Sequence, residues 1–147
     1  MLESLLSPKS VAVIGASRTP GKVGHEILSN LQRSGFAGGL VPVNPTADEI
    51  LGLRCYPDLA AYGAQVELSV IAVATPLVKS AVEDSIAAGA RAIVVITAGF
   101  KEVGPEGAKL EAEIAQLCSA HAVHLVGPNC LGLINTHHAM NASFAKR

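Results

Sequence analysis

The ten-residue stretch Gly15-Ala16-Ser17-Arg18-Thr19-Pro20-Gly21-Lys22-Val23-Gly24 is the part of this sequence best suited to holding a phosphate. Glycines between a strand and a helix let backbone N–H groups approach an oxyanion, and the start of the helix adds the positive end of its dipole. Ser17 and Thr19 supply hydroxyl donors, and Arg18 and Lys22 supply cations. Two common phosphate loops do not fit. The GxxxxGK[ST] loop has the wrong spacing from Gly15 to Gly21-Lys22, and Val23 stands where it needs a magnesium-binding hydroxyl. The GxGxxG loop fails because Ser17 occupies its second glycine position. Gly15, Ser17, Arg18, Thr19, Gly21 and Lys22 are the candidate contacts.

Other short segments bear on the same ligand. Val43-Asn44-Pro45-Thr46 stands where a dinucleotide enzyme usually carries an acid for the ribose hydroxyls, yet Asn44 is neutral. Asp48 and Glu49 fall beyond the Pro45 turn. This disfavours NAD. It suits a ligand with an extra ribose phosphate, which a carboxylate would repel, and coenzyme A (CoA) carries one at the 3′ position. Val73-Ala74-Thr75-Pro76, Thr97-Ala98-Gly99-Phe100 and Gly127-Pro128-Asn129-Cys130-Leu131-Gly132 each follow an apolar run. The last mixes Gly, Pro, Asn and Cys, which simple loop closure does not require.

These segments need a scaffold that brings them to one edge. Apolar runs of strand length begin at Val11, Leu40, Leu68, Ala92 and Val123. They read VAVIG, LVPVN, LSVIAVA, AIVVIT and VHLVG, short and β-branched, as buried parallel strands do. Three of the segments between them have helical spacing, with Ile27, Leu28 and Leu31, then Val78, Ala81, Val82 and Ile86, then Leu110, Ile114 and Leu117. Thr75-Pro76 offers an N-cap hydroxyl, Pro105-Glu106 opens the last helix, and Gly35 and Gly89 stand where left-handed stops belong. The expected fold is α/β: a Rossmann-like doubly wound parallel sheet in a three-layer α/β/α arrangement, with 1–147 as one domain. Ligands on such sheets bind at the carboxyl ends of the strands, near the reversal of strand order. NTHHAMNASFAKR, at the end, completes no recognisable element, as in a domain cut from a longer protein.

Composition narrows the classes. Half of the 147 residues are apolar and 3% are aromatic, and the net charge is -1 without a basic run. A nucleic-acid face or a basic membrane patch is not expected. No apolar stretch reaches the ~18 residues of a membrane span, and MLESLLSPKS is too polar for a signal peptide. Cys55, Cys118 and Cys130 form no CxxC and are odd in number, which fits reduced thiols in a cytoplasmic protein. No metal site is expected: His137 and His138 are adjacent and lack a third ligand. Cys130 has no base placed beside it, so a small buried thiol is expected rather than a nucleophile.

SPKSVAVIGAS, LVPVNP followed by ILGLRCYPDL, ITAGF, and above all GPNCLGLIN with NASFA beyond it resemble the CoA-binding domain of the nucleoside-diphosphate-forming acyl-CoA synthetases. That superfamily includes the succinyl-CoA synthetase α subunit and ADP-forming acetate–CoA ligases. The resemblance covers essentially the whole chain. It implies that Ser17, Arg18 and Thr19 lie at the CoA phosphates and Asn44 and Pro45 near the adenosine. Val73, Ala74, Thr75, Pro76, Thr97, Ala98 and Gly99 would line the nucleotide and pantetheine arm, with Asn129 and Cys130 toward the thiol. Thr46 departs from the lysine common in relatives, leaving that phosphate contact to Lys22 or Arg18.

The resemblance further implies a division of labour. The whole enzyme would join a carboxylic acid, CoA and ATP through an acyl phosphate and a phosphohistidine. His25, His121, His124, His137 and His138 lack the phosphohistidine context, so this chain would supply no catalytic residue. The histidine and the ATP-grasp part, with ATP and magnesium, would belong to the remaining synthetase domains or a second subunit. The alternatives are a CoA-sensing region of a protein lysine acetyltransferase, a stand-alone CoA-binding protein and an NAD domain.

Overall fold

The computed structural model describes residues 2–146. Its elements are α1 (Glu3–Leu6), β1 (Ser10–Ile14), α2 (Val23–Arg33), β2 (Gly39–Val43), β3 (Glu49–Ile50), β4 (Leu53–Arg54), α3 (Leu59–Tyr62) and β5 (Leu68–Ile71). There follow α4 (Thr75–Ala87), β6 (Ala92–Val95), α5 (Pro105–Ala120), β7 (His124–Val126), β8 (Gly132–Asn135) and β9 (Met140–Ser143).

Five strands form one parallel sheet in the order β2-β1-β5-β6-β7. The chain moves outward from β1 to β2 and then crosses back to β5. The order therefore reverses between β1 and β5, where Ile14 and Ile71 pair at the carboxyl edge. Alternation along each strand sends side chains to opposite faces. Val11 and Val13 pack with Ile27, Leu28 and Leu31 of α2. Ala12 and Ile14 belong to the other core, with Val78 and Val82 of α4 and Ile114 of α5. This is the expected three-layer Rossmann-like fold.

The helix stops are as expected. Phe36 N–H donates to Leu31 O around Gly35, and Ala90 N–H donates to Ser85 O around Gly89. Thr75 is a correction: Ala74 is the N-cap of α4, and Thr75 is the first helical residue with its hydroxyl turned elsewhere. The LSVIAVA run is also shorter as a strand. β5 ends at Ile71, although Ala72 N–H still donates to Ile14 O at 2.8 Å before the chain turns away.

The terminal stretch is the larger correction. It does complete an element: β8 and β9 pair as an antiparallel hairpin, joined by a 3₁₀ turn at Thr136–His138. Met140 and Ala142 enter the core beside α2. The buried Asn30 amide ties the hairpin down by donating to Ser143 O at 2.9 Å and Ala145 O at 3.2 Å. On that face of the sheet the hairpin stands beside α2. The β3–β4 hairpin and α3, in the β2–β5 connection, are further elements that the apolar periodicity does not reveal. No helix among the described residues is long and apolar enough to cross a membrane.

Candidate functional site

The carboxyl edge of the sheet carries two clefts that meet at Val73. The larger, about 620 Å³, lies over the ends of β5, β6 and β7 and is lined by Val23, Ala72, Val73, Ala74, Ile96, Thr97, Ala98, Asn129, Cys130, Leu131 and Phe144. None of these is charged. The smaller, about 260 Å³, lies toward β2 and includes Gly15, Val43, Pro45, Pro57, Asp58, Val73, Leu77, Ser80 and Asp84.

The first turn is built by close backbone approach. Gly15 has φ +93°, and a Cβ there would strike Ala72 O. A Cβ on Gly24 would strike Gly15 O, so α2 rests directly on the turn. Gly24 thus provides the helix–strand approach that the last glycine of GxGxxG provides elsewhere. Several amides of the turn are already committed. Gly15 and Ala16 N–H donate to Val43 O at 3.1 and 3.2 Å. Thr19 N–H donates to Ser17 Oγ at 3.0 Å, and Gly21 N–H donates to Glu26 Oε1 at 2.8 Å. That bond holds the Glu26 carboxyl below its ordinary value. Arg18, Thr19, Gly21 and Lys22 are exposed, and no ion pair among the described residues uses Arg18 or Lys22.

Asn44 works within the protein. Its Nδ2 donates to Ala16 O at 2.8 Å, and its Oδ1 accepts from the Thr46 and Ala47 amides at 2.9 and 3.1 Å. It braces the first turn from the end of β2 and lines neither cleft, whereas Pro45 lines the smaller one.

Two threonines fasten the β5 and β6 loops together. Thr97 Oγ1 donates to Val73 O at 2.6 Å, and Thr75 Oγ1 donates to Ala98 O at 2.9 Å. Glu102 accepts from the Gly99 and Phe100 amides, with Phe100 N–H at 2.9 Å, and these amide bonds hold its carboxyl low. Asn129 is left-handed at φ 57°, and its N–H donates to Thr97 O at 3.0 Å. Cys130 Sγ lies 3.3 Å from Val95 O as a donor, and burial pushes the thiol up. Such a thiol is a wall of the cleft rather than a ready nucleophile.

The structure therefore gathers Val73, Ala74, Thr97, Ala98, Asn129 and Cys130 around the larger cleft, and Gly15, Pro45 and Val73 around the smaller. Ser17, Arg18, Thr19, Gly21 and Lys22 stay together on the turn above. Thr75, Pro76 and Gly99 line neither cleft. Val23, Leu131 and Phe144 are lining residues that the sequence does not single out, because an apolar side chain reads as core. Their only signal is position, just beyond the glycine turn, the GPNC segment and the NAS triplet. No group of three or more His, Cys, Asp or Glu among the described residues is arranged to hold a metal ion.

A parallel sheet with its turns and clefts gathered at the reversal of strand order defines a nucleotide-binding class of fold. Within that class the chain belongs to the CoA binding domain family, which matches residues 9–136. It is 50% identical over 145 residues to acetate–CoA ligase [ADP-forming] I of Archaeoglobus fulgidus, covering 99% of this chain and 21% of that protein. It is 37% identical to the alpha subunit of acetate–CoA ligase [ADP-forming] II of Pyrococcus furiosus, covering 98% of this chain and 31% of the subunit. The dinucleotide-forming acetyl-coenzyme A synthetase 1 of Ca. Korarchaeum cryptofilum, solved with phosphate and ADP, superimposes with a TM-score of 0.94. It is 40% identical, over 99% of this chain and 31% of that one. The chain thus spans about a fifth to a third of these relatives.

Proposed function

We propose that the chain is the CoA-holding domain of an ADP-forming acyl-CoA synthetase. The observation that carries this reading is the division of charge along the carboxyl edge. The larger cleft has no charged lining residue, while the adjoining turn carries Arg18 and Lys22. CoA is divided the same way, into a phosphate-bearing nucleotide and a neutral pantetheine arm. In this reading Ser17, Arg18, Thr19 and Lys22 meet the phosphates, and the nucleotide turns over Val73. The arm runs along Ala74, Thr97 and Ala98 toward Asn129 and Cys130. NAD is disfavoured because Asn44 spends its acceptor oxygen inside its own turn and presents no carboxylate to a ribose.

The complete protein, in this reading, makes acyl-CoA, ADP and phosphate from a carboxylic acid, CoA and ATP. The phosphorylated histidine and the ATP–magnesium site belong to further domains or to a second subunit. Support comes from the small share of the ligases that the chain spans and from its match to a separate alpha subunit. A cytoplasmic setting is part of the proposal, supported by the free thiols of Cys55, Cys118 and Cys130.

Calorimetry on the purified chain tests the ligand. CoA should bind more tightly than NAD. Equal or tighter binding of NAD would reject the assignment.

A further inference from the structure

One carboxylate oxygen at the start of α2 faces two donors and bonds only one of them. Glu26 Oε1 accepts from the Gly21 amide at 2.8 Å and stands 3.5 Å from His25 Nδ1. The His25 side chain is 12% exposed, and its Nδ1 is buried without a hydrogen-bond partner. A buried polar atom in that state is uncommon in a folded chain and points to a second arrangement in which it is used. The Glu26 side chain is 40% exposed, so it has room to move between the two donors. The space beside Gly21 is open, since a Cβ there would meet nothing within 4 Å. No ion pair among the described residues joins Glu26 to Arg18 or Lys22, the cations on either side of Gly21 in sequence.

Few other charges surround His25. β1 and β9, the strands packed on α2, carry no ionisable side chain. The β3–β4 turn meets α2 through Gln32 Nε2, which donates to Leu51 O at 2.9 Å, and brings the exposed Asp48, Glu49 and Arg54. Lys146 follows Ala145, whose carbonyl accepts from Asn30, and Arg33 closes α2.

We propose that Glu26 is a built-in stand-in for a ligand phosphate: a phosphate entering the turn takes the Gly21 amide, and the displaced carboxylate moves onto His25, which takes up a proton from solvent to form the pair. This rests on the reading of the glycine turn as the CoA phosphate site. One anion replaces another at the amide, and the carboxylate and the imidazolium neutralise each other beside it. Histidine suits the task because its ordinary titration range adjoins neutrality, and both ring nitrogens of its charged form are donors. The resident carboxylate therefore opposes binding, which a helix cap with no further role would not do.

Calorimetry on the purified chain tests both halves. Glu26→Gln keeps an acceptor for Gly21 but removes the charge, so CoA should bind about two- to fivefold more tightly, the scale of one exposed charge interaction. Unchanged or weaker binding would make Glu26 a cap alone and overturn the proposal. Glu83→Gln removes an exposed acid on α4 and should bring no such gain; an equal gain would assign the effect to net charge and overturn it too. Titrating wild type near pH 7 in two buffers of different ionisation enthalpy counts protons without any change at Glu26. Wild type should take up a fraction of a proton with CoA. His25→Asn, which can hold the carboxylate through Nδ2 but does not titrate, should lose that uptake. No uptake by wild type, or uptake that survives in His25→Asn, overturns the proposal. Absence of CoA binding by wild type would instead reject the CoA reading itself, so the two failures are distinguishable.

Discussion

Asn44 holds the carbonyl of Ala16 at 2.8 Å across two adjacent strand ends. A residue whose chemical type suggests a ligand contact is thereby a strut for the glycine turn. Asn44→Ala should destabilise the chain by about 1–2 kcal/mol, since it strands one acceptor and two donors that a partly buried turn needs. Asn44→Asp keeps the acceptor for the Thr46 and Ala47 amides but faces Ala16 O without a proton. It should also destabilise, and it isolates the brace from the turn. Urea titrations measure both. Two variants as stable as wild type would remove the strut.

Gly24 gives the second prediction. Any side chain there meets Gly15 O, a backbone atom that cannot swing aside as the end of a side chain could. Gly24→Ala should cost about 1–3 kcal/mol, as overpacking does. It should weaken CoA binding as well, because α2 is pushed off the turn. Thermal melting and calorimetry on one preparation read both effects. Unchanged melting would mean that the approach of α2 is softer than described.

Arg18 is exposed beside the turn and without an ion pair among the described residues, so it is available for a phosphate. Arg18→Ala should weaken CoA by about 1–3 kcal/mol, the range of a charge-assisted hydrogen bond. Dephospho-CoA locates the contact. An equal loss with both ligands puts Arg18 on the pyrophosphate, and a much smaller loss with dephospho-CoA puts it on the 3′-phosphate. No loss with either removes it from the site.

The central strands of the sheet were legible because strands buried on both faces are largely apolar, as Val11–Ile14 and Ala92–Val95 are. The clefts were legible for the same reason: the position after a parallel strand predicts Val73, Thr97 and Asn129 without knowledge of their partners. The β8–β9 hairpin was not legible. Its strands have four residues each, and its turn passes through Thr136–His138 and a left-handed Ala139 rather than an Asn-Gly pair. Tertiary contacts fix it: the bonds from Asn30, the bond from Asn141 N–H to Ser34 Oγ at 3.2 Å, and the burial of Met140 and Ala142. The roles of Thr75 and Thr97 were hidden likewise, since each hydroxyl bonds a carbonyl more than twenty residues away.

Asp84 predicts a pH effect. Burial, and then repulsion from Asp58 and Glu83, raises its carboxyl above the ordinary 3.8. The folded chain therefore holds this proton more tightly than the unfolded chain. The penalty is present above the folded value and is relieved as pH falls toward 3.8. Asp84→Asn should be more stable than wild type at neutral pH, by a few tenths of a kcal/mol, because the group is largely solvated. The difference should shrink in acid. Melting curves from pH 7 to 4 check the sign, and an advantage that grows in acid would contradict it.

Cys130 provides a reporter inside the proposed thiol end of the cleft. Burial pushes its thiol up, the amide of Gly132 offsets part of that, and Sγ–H is engaged with Val95 O. Little thiolate exists at neutral pH, so iodoacetamide should alkylate it more slowly than a free cysteine. Cys55 and Cys118 are also raised by burial, and both are more enclosed, so Cys130 should be the first of the three to react. Saturating desulfo-CoA, which has neither a thiol to consume the reagent nor a disulfide to exchange with Cys130, should slow that reaction further by covering Leu131 and Phe144 along the same wall. Peptide mapping by mass spectrometry identifies the labelled residue and gives its rate. Cys130→Ser should leave appreciable synthetase turnover once the remaining domains are supplied, because a wall residue is replaced by one of similar size. Complete loss of turnover, with CoA binding and folding intact, would make the thiol a participant in the chemistry. An alkylation rate at Cys130 that ignores the nucleotide would move the pantetheine arm out of the larger cleft.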